Sequence, residues 1–241
     1  MIFFKKLRGV LRGNPVVVGI EITTECNRRC AYCPVSTHTR PKQLMGLDMF
    51  DGILNVLKAS GFFGAIHLIG YGEPLLDNRI YELIRRTKKA LPRNQVITAT
   101  NGDLLDDKVK SDLADSGLDV LLVTRHSRSD FKAFKYMVGK MEVIEQPAVT
   151  QIANRVGSAW VKGLKYSRMW FCRKVLALFI TASGDVCFCC DDYAARHGVG
   201  INVKTGNFLK EWNRMGLIWQ RILVLVGFRF GPCKGCRVAQ K

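Results

Sequence analysis

Cys26, Cys30 and Cys33 lie in the stretch Thr23 to Pro34, TTECNRRCAYCP, with the spacing C-x3-C-x2-C. Three thiolates on one tight loop can hold three irons of a cubane cluster. The fourth iron then has no protein ligand, and a small molecule can chelate it. Four cysteines normally close an iron–sulfur cluster, so a loop of three suits a reactive cluster rather than a purely electron-carrying one. A zinc loop with a distant fourth ligand would use the same thiolates, but zinc sites more often present C-x2-C pairs.

The remaining six cysteines all follow Gly163: Cys172, Cys187, Cys189, Cys190, Cys233 and Cys236. Nine cysteines in a chain without a signal peptide argue for metal or cluster chemistry over disulfides and for a cytoplasmic setting. The opening MIFFKKLRGVLRG interrupts its apolar residues with positive charge and has no cleavage site. It reads as a basic amphipathic segment, 1–15, with Ile2, Phe3, Leu7, Val10 and Leu11 on one face. Such a segment can pack on the domain or touch a membrane peripherally.

A chain of 241 residues, 48% hydrophobic and 24% charged, can bury a large core. The net charge of +17 favours anionic partners. Lys and Arg are spread along the chain and no RNA-binding motif is visible, so the charge does not by itself point to nucleic acid. The expected partners are a small, anionic substrate and an acidic membrane surface.

The elements that must position the cysteines alternate. Strands are predicted at Val16–Thr23, Ala65–Gly70, Gln95–Thr100, Leu118–Thr124 and Val149–Asn154. Helices are predicted at Leu47–Ser60, Asn78–Ala90, Asp106–Ser116 and Phe131–Val138. This argues a parallel α/β sheet curved into a partial, open barrel, with too few units to close eightfold. The second strand runs into Gly70-Tyr71-Gly72-Glu73-Pro74. Its glycines allow close backbone approach, Pro74 fixes the exit, and Glu73 brings a carboxylate beside the expected cofactor. Arg125, His126 and Ser127 end the fourth strand and Arg155 follows the fifth. In αβ barrels that end carries active-site groups. His126 is a candidate general base, and Arg155 can pair with an anionic or hydroxyl-rich substrate.

Cys26-x3-Cys30-x-Tyr32-Cys33 resembles the signature of the radical SAM superfamily. In that family the open iron binds the amino and carboxylate groups of S-adenosylmethionine (SAM). Reduction of the [4Fe-4S] cluster then cleaves SAM to a 5′-deoxyadenosyl radical, which abstracts a hydrogen atom. The resemblance implies that Tyr32 sits against the adenine. It also implies that Gly72, Glu73 and Pro74 correspond to a G-G-E-P segment binding the SAM amino group, with Tyr71 in place of the first paired glycine. Thr100-Asn101-Gly102 is similar to a T-N-G near the SAM pocket, and Arg125 is a further candidate for touching SAM or substrate.

After Gly163, strands at Val175–Thr181 and Val186–Cys190 flank the turn Ser183-Gly184, and a helix from Phe208 to about Val226 leads to Cys233 and Cys236. This resembles the auxiliary-cluster region of SPASM and twitch radical SAM enzymes. The matching residues are Cys172, Cys189 on the hairpin, Cys233 and Cys236, which would hold a second, auxiliary [4Fe-4S] cluster; zinc in the same four thiolates is the alternative. The chain ends at Lys241, shortly after Cys236, so the shorter twitch type is expected, with a partial barrel at 16–163 and a small C-terminal domain of hairpin and helix at 164–241. Either Cys187 or Cys190 could replace Cys189 as ligand. A thiol such as Cys187 could also return a hydrogen atom to a product radical, and it is the third candidate catalytic residue beside Arg155 and His126.

The resulting expectation is a radical SAM oxidoreductase. It oxidises a hydroxylated small molecule, sugar- or aminocyclitol-like, in a pocket shaped by Phe188 and Tyr193. The auxiliary cluster accepts an electron, and a flavodoxin- or ferredoxin-type donor supplies the reductant. A peptide maturase or epimerase with the same cofactors is the alternative; a non-enzymatic Fe–S or zinc protein is another. With only Met1 to Pro15 before the first strand, a leader-binding domain is not expected.

Overall fold

The computed structural model describes residues 15–36, 40–126, 132–147, 166–168, 172–187, 189–192, 198–225, 227–228, 233 and 236–239. Strands β1 (Val17–Ile20), β2 (Ala65–Leu68), β3 (Val96–Thr100), β4 (Val120–Arg125), β6 (Met141–Pro147) and β8 (Ala177–Ile180) run parallel to their neighbours in this set. Antiparallel strands flank them: β5 (Phe134–Val138) at one side, β9 (Asp185–Cys187) and β10 (Gly198–Asn202) at the other. Among the described residues, these nine strands form one open sheet in the order β10-β9-β8-β1-β2-β3-β4-β6-β5. A separate antiparallel pair joins β7 (Tyr166–Arg168) to β11 (Arg237–Ala239).

Helices α1 (Leu47–Ala59), α2 (Ile80–Ala90) and α3 (Asp107–Asp115) form the crossovers. In α1, Phe50, Ile53, Leu54 and Leu57 are buried, and in α2 Ile80, Leu83, Ile84 and Thr87 repeat the same i, i+3, i+4, i+7 stripe. Asp106 caps α3 by accepting from the Val109 amide at 2.7 Å. The core continues into α4 (Phe208–Trp212) and α5 (Met215–Leu225), where Phe208, Trp212 and Val224 are buried.

Because β8 pairs with β1 in parallel, the C-terminal hairpin extends the same sheet that carries the first cysteine loop. Gly184 turns that hairpin at φ +91°, a conformation that favours glycine. Three predictions need correction or fall elsewhere. The helix expected at Phe131–Val138 is not present over its described residues, 132–138. Residues 134–138 form β5, hairpinned to β6 through Gly139 at φ +57°, because Phe134, Tyr136 and Val138 alternate with polar Lys135 and fit a two-residue period. The helix expected from Phe208 breaks at Asn213 and Arg214 into α4 and α5. The Asn213 amide closes α4 on the carbonyls of Leu209 and Lys210. The strand expected at Val149–Asn154 lies outside the described residues, as does most of the segment 1–15; β6 supplies the fifth parallel strand.

Phe50 is fully buried between α1 and the sheet. Phe50→Ala is expected to cost about 3–5 kcal/mol. In chemical denaturation this reads as a lower midpoint at unchanged m.

Candidate active site

The loop carrying Cys26, Cys30 and Cys33 leaves the C-terminal end of β1 and is pinned shut at its base. Thr23 bridges Leu44, the Thr24 amide donates to the Gln43 carbonyl at 3.0 Å, and the Met45 amide donates to the Ile22 carbonyl at 2.8 Å. Inside the loop, the Cys33 amide donates to the Cys30 carbonyl at 2.9 Å, and the Arg28 amide donates to Cys26 Sγ at 3.5 Å. All three thiols are partly exposed. Burial pushes the Cys26 thiol up, against the Arg28 amide that lowers it. Among the described residues no three His, Cys, Asp or Glu side chains converge on a single ion. A cubane asks instead for one thiolate per iron, which three thiols spread along one pinned loop can supply.

Two further strand ends close on this loop. After β2, the backbone of Gly72 lies so tightly on it that a Cβ there would overlap the carbonyl oxygens of Thr23 and Glu25. The Glu73 amide donates to the Glu25 carbonyl at 2.7 Å. The Glu73 carboxylate, 2% exposed, accepts from the Leu75 amide at 3.2 Å and the Asn101 amide at 2.8 Å. Burial raises its pKa, and the Asn101 amide offsets part of that rise. Pro74 is buried and starts a single 3-10 turn. After β3, Thr100 is buried and accepts from the Gly102 amide at 3.1 Å. Asn101 Nδ2 donates to Asn27 Oδ1 at 2.7 Å. Arg28 grips Asp103 through two guanidinium nitrogens, and this holds the Asp103 carboxyl below its usual range.

The fourth strand end brings His126 over the loop. Its Nδ1 lies 2.8 Å from Tyr32 Oη and 3.9 Å from Cys30 Sγ, and the two rings stack with centroids 6.1 Å apart. Burial lowers the His126 pKa, which keeps the imidazole neutral at pH 7. Arg125 turns to Glu145 on β6, at 2.6 and 3.0 Å; Tyr136 Oη donates to the same carboxylate at 2.9 Å. Arg155, Ser127, Phe188 and Tyr193 lie outside the described residues.

Beneath these loops sits a carboxylate that the sequence motifs do not single out. Glu21 is fully buried at the end of β1. It pairs with Arg40 through both oxygens and accepts from the amides of Tyr71 at 3.1 Å and Ala182 at 3.2 Å. Gly70 must lack a side chain because its Cβ would overlap Glu21 Cγ. Tyr71, at the position where the resemblance expects glycine, reaches across to the β9 side: its hydroxyl donates to the Cys190 carbonyl at 3.0 Å. Asn27, Arg28, Arg40 and Asp103 likewise belong to no motif. A lone acid ending an apolar strand is the one available signal for Glu21; the others are ordinary loop residues.

The second set of cysteines gathers in part. Burial pushes the Cys236 thiol up to about 11, with Asp191, Cys172 and Cys233 adding to the rise, so these side chains share one neighbourhood. Cys189 is buried. Its hydrogen bond with Cys190 and its burial raise it, while Sγ accepts from the Asp191 amide at 3.3 Å. The Asp191 carboxylate is buried here and paired with Lys174 at 2.5 Å. Cys187 lies on the hairpin strand before these residues. It is fully buried in β9, and burial, reinforced by Asp192 and Glu21, holds its thiol protonated.

A family model described as the radical SAM superfamily matches residues 20–147, more than half of the chain. The chain is similar to the S-adenosyl-L-methionine-dependent 2-deoxy-scyllo-inosamine dehydrogenase of Niallia circulans, 32% identical over 118 residues that cover 48% of this chain and 47% of the relative. It is also similar to a GTP 3′,8-cyclase of Limosilactobacillus fermentum, 27% identical over 82% of this chain and 57% of the relative. The matches thus span about half the length of these curated relatives. Among solved structures, the crystal structure of BtrN in complex with AdoMet and 2-DOIA superposes with a TM-score of 0.80 at 24% identity, covering 92% of each chain. That likeness concerns the fold: an open, mostly parallel α/β sheet.

Two of the ion pairs at the site, Glu21–Arg40 and Arg28–Asp103, differ in burial, and their loss should differ accordingly. Glu21→Gln leaves Arg40, 17% exposed, beside a neutral group and is expected to cost about 3 kcal/mol. Arg28→Gln opens a pair that is 30% and 33% exposed and should cost under about 1 kcal/mol. Urea denaturation of the two variants side by side checks the order.

Proposed function

The chain belongs to the radical SAM superfamily, and from that premise we propose that it oxidises a hydroxylated small molecule of the sugar or aminocyclitol class. The observation that carries this reading is the convergence of three strand-end loops on Cys26, Cys30 and Cys33. Glu73 is buried among them and Gly72 is packed against the cysteine loop's backbone. The partial match to a dehydrogenase of an aminocyclitol supports the substrate class. A cluster held by Cys26, Cys30 and Cys33 together with SAM would supply a radical able to abstract a carbon-bound hydrogen, and a second cluster held by Cys172, Cys189, Cys233 and Cys236 would supply the electron acceptor that a net alcohol oxidation requires.

In this reading Glu73 receives the SAM ammonium, for which a buried carboxylate already held by two amides is suited. Gly72, Pro74, Thr100 and Asn101 shape the backbone around it. Tyr32, stacked with His126, offers an aromatic face to the adenine. Neutral His126 can hold the Tyr32 hydroxyl or take a proton. Arg125, oriented by Glu145, and Arg155 are assigned to the substrate. Cys172, Cys189, Cys233 and Cys236 hold the second cluster, whose neighbourhood three of them already share. A flavodoxin- or ferredoxin-type donor delivers the electron that starts each cycle.

Anaerobic reconstitution tests the reading. The protein should bind about eight irons, falling to about four when Cys26, Cys30 and Cys33 are all changed to Ala. The wild type should convert SAM to 5′-deoxyadenosine and oxidise an alcohol, and the triple variant should do neither. About four irons with one zinc would remove the electron acceptor and overturn the oxidation.

The Glu73 pKa gives a second test. Because burial raises the folded-state value, the folded chain keeps a proton that the unfolded chain has lost. The stability this contributes is full below the unfolded pKa and disappears as pH rises through the folded one. SAM needs the carboxylate, so its affinity should climb with pH through a midpoint above the ordinary glutamate value. Glu73→Gln should flatten that profile and weaken binding about tenfold or more in equilibrium binding to the reconstituted protein.

A further inference from the structure

The outer face of α5 carries no charge. Met215, Trp219 and Leu223 stand at i, i+4 and i+8, so they form one stripe, and they are 66%, 57% and 37% exposed. Gly216 and Gln220 complete the exposed face. Leu217 and Val224 point into the core on the other side. The helix's one charged residue, Arg221, is turned inward: its guanidinium lies 4.4 Å from the centre of the Trp212 ring and donates to the Trp212 carbonyl at 2.8 Å. A surface helix ordinarily presents its charged residues to water; this one buries its charge and exposes its tryptophan.

Along the sequence, the segment from Trp212 to Lys241 has no Asp or Glu, and besides the inward-turned Arg221 it holds Arg214, Arg229, Lys234, Arg237 and Lys241. The chain as a whole carries a net charge of +17. We propose that the outer face of α5 lies on the surface of an anionic lipid bilayer, with Trp219 at the headgroup boundary. The chemistry matches on both counts. A tryptophan and flanking aliphatic side chains partition into the interface, and a chain of net charge +17 is attracted to anionic headgroups. No described helix is long and apolar enough to cross a membrane, so the face rests on the bilayer. A second copy fits the stripe poorly. Two chains of net charge +17 repel, and three side chains fall far short of the roughly 800 Å² per partner of a stable interface. This inference is independent of the catalytic reading, because none of the stripe residues belongs to the candidate site.

Co-sedimentation of the full chain with vesicles tests it. Phosphatidylcholine vesicles containing phosphatidylglycerol should carry the protein down, and pure phosphatidylcholine vesicles should carry much less. Added salt should release it. The double variant Met215→Ser, Trp219→Ser should bind the anionic vesicles about tenfold or more weakly, with an unchanged circular dichroism spectrum and melting curve, since both side chains are more than half exposed. Equal binding by variant and wild type would overturn the proposal, as would no binding by the wild type. It would also fall if the wild type ran as a dimer that the double variant dissolved into monomers, because the stripe would then be a protein interface.

Discussion

A carboxylate buried at the end of β1 holds the candidate site together. Glu21 is not itself a candidate ligand or catalytic group, yet four separate pieces of chain end on it: its own strand, the Arg40 side of the cysteine loop, the Tyr71 amide after β2, and the Ala182 amide of the β8–β9 hairpin. A charge removed from water must be matched by a counter-charge and hydrogen bonds, and here those partners come from all the segments that have to meet. The requirement to satisfy one carboxylate therefore sets the relative positions of the three-cysteine loop, the glutamate segment and the second cysteine region. Gly70 is the corollary, since any side chain there would occupy the space of Glu21.

The sheet converts this into a site. Parallel strands bring successive C-terminal ends to one edge, so the loops after β1, β2, β3 and β4 are neighbours although they are far apart in the chain. Asn27 and Arg28 then reach Asn101 and Asp103, and Tyr32 reaches His126. Tyr71 extends the contact to Cys190, which ties the backbone beside Glu73 to the turn that carries Cys189. The β8–β9 hairpin and the turn after it, which carry Cys187, Cys189 and Cys190, are thus tied to the first strand ends through the β1–β8 pairing, through Glu21 and through Tyr71.

Much of this is legible in the chain. The parallel strands β1 to β4 and the helices between them follow from apolar periodicity, and the Ser183-Gly184 turn follows from its residue types. The hairpin β5–β6 is not, because Phe131–Val138 is too short for periodicity to separate a helix from a strand, and pairing with β6 decides it. The break between α4 and α5 falls at Asn213 and Arg214, between two apolar stretches that read as one helix along the chain.

What the sequence determined by itself is local chemistry. The spacing of Cys26, Cys30 and Cys33, the Gly72-Glu73-Pro74 turn, the Thr100-Asn101 strand end and the Cys233–Cys236 pair are set by residues a few positions apart, and backbone geometry translates such spacing directly into a donor set. Only the tertiary structure decided which distant groups answer them: Arg40 for Glu21, Asp103 for Arg28, Glu145 for Arg125, Asp191 beside Cys236. Each of those pairings depends on strand order and register. One-residue shifts of register turn a side chain to the opposite face of the sheet, so no composition or spacing along the chain could have specified them.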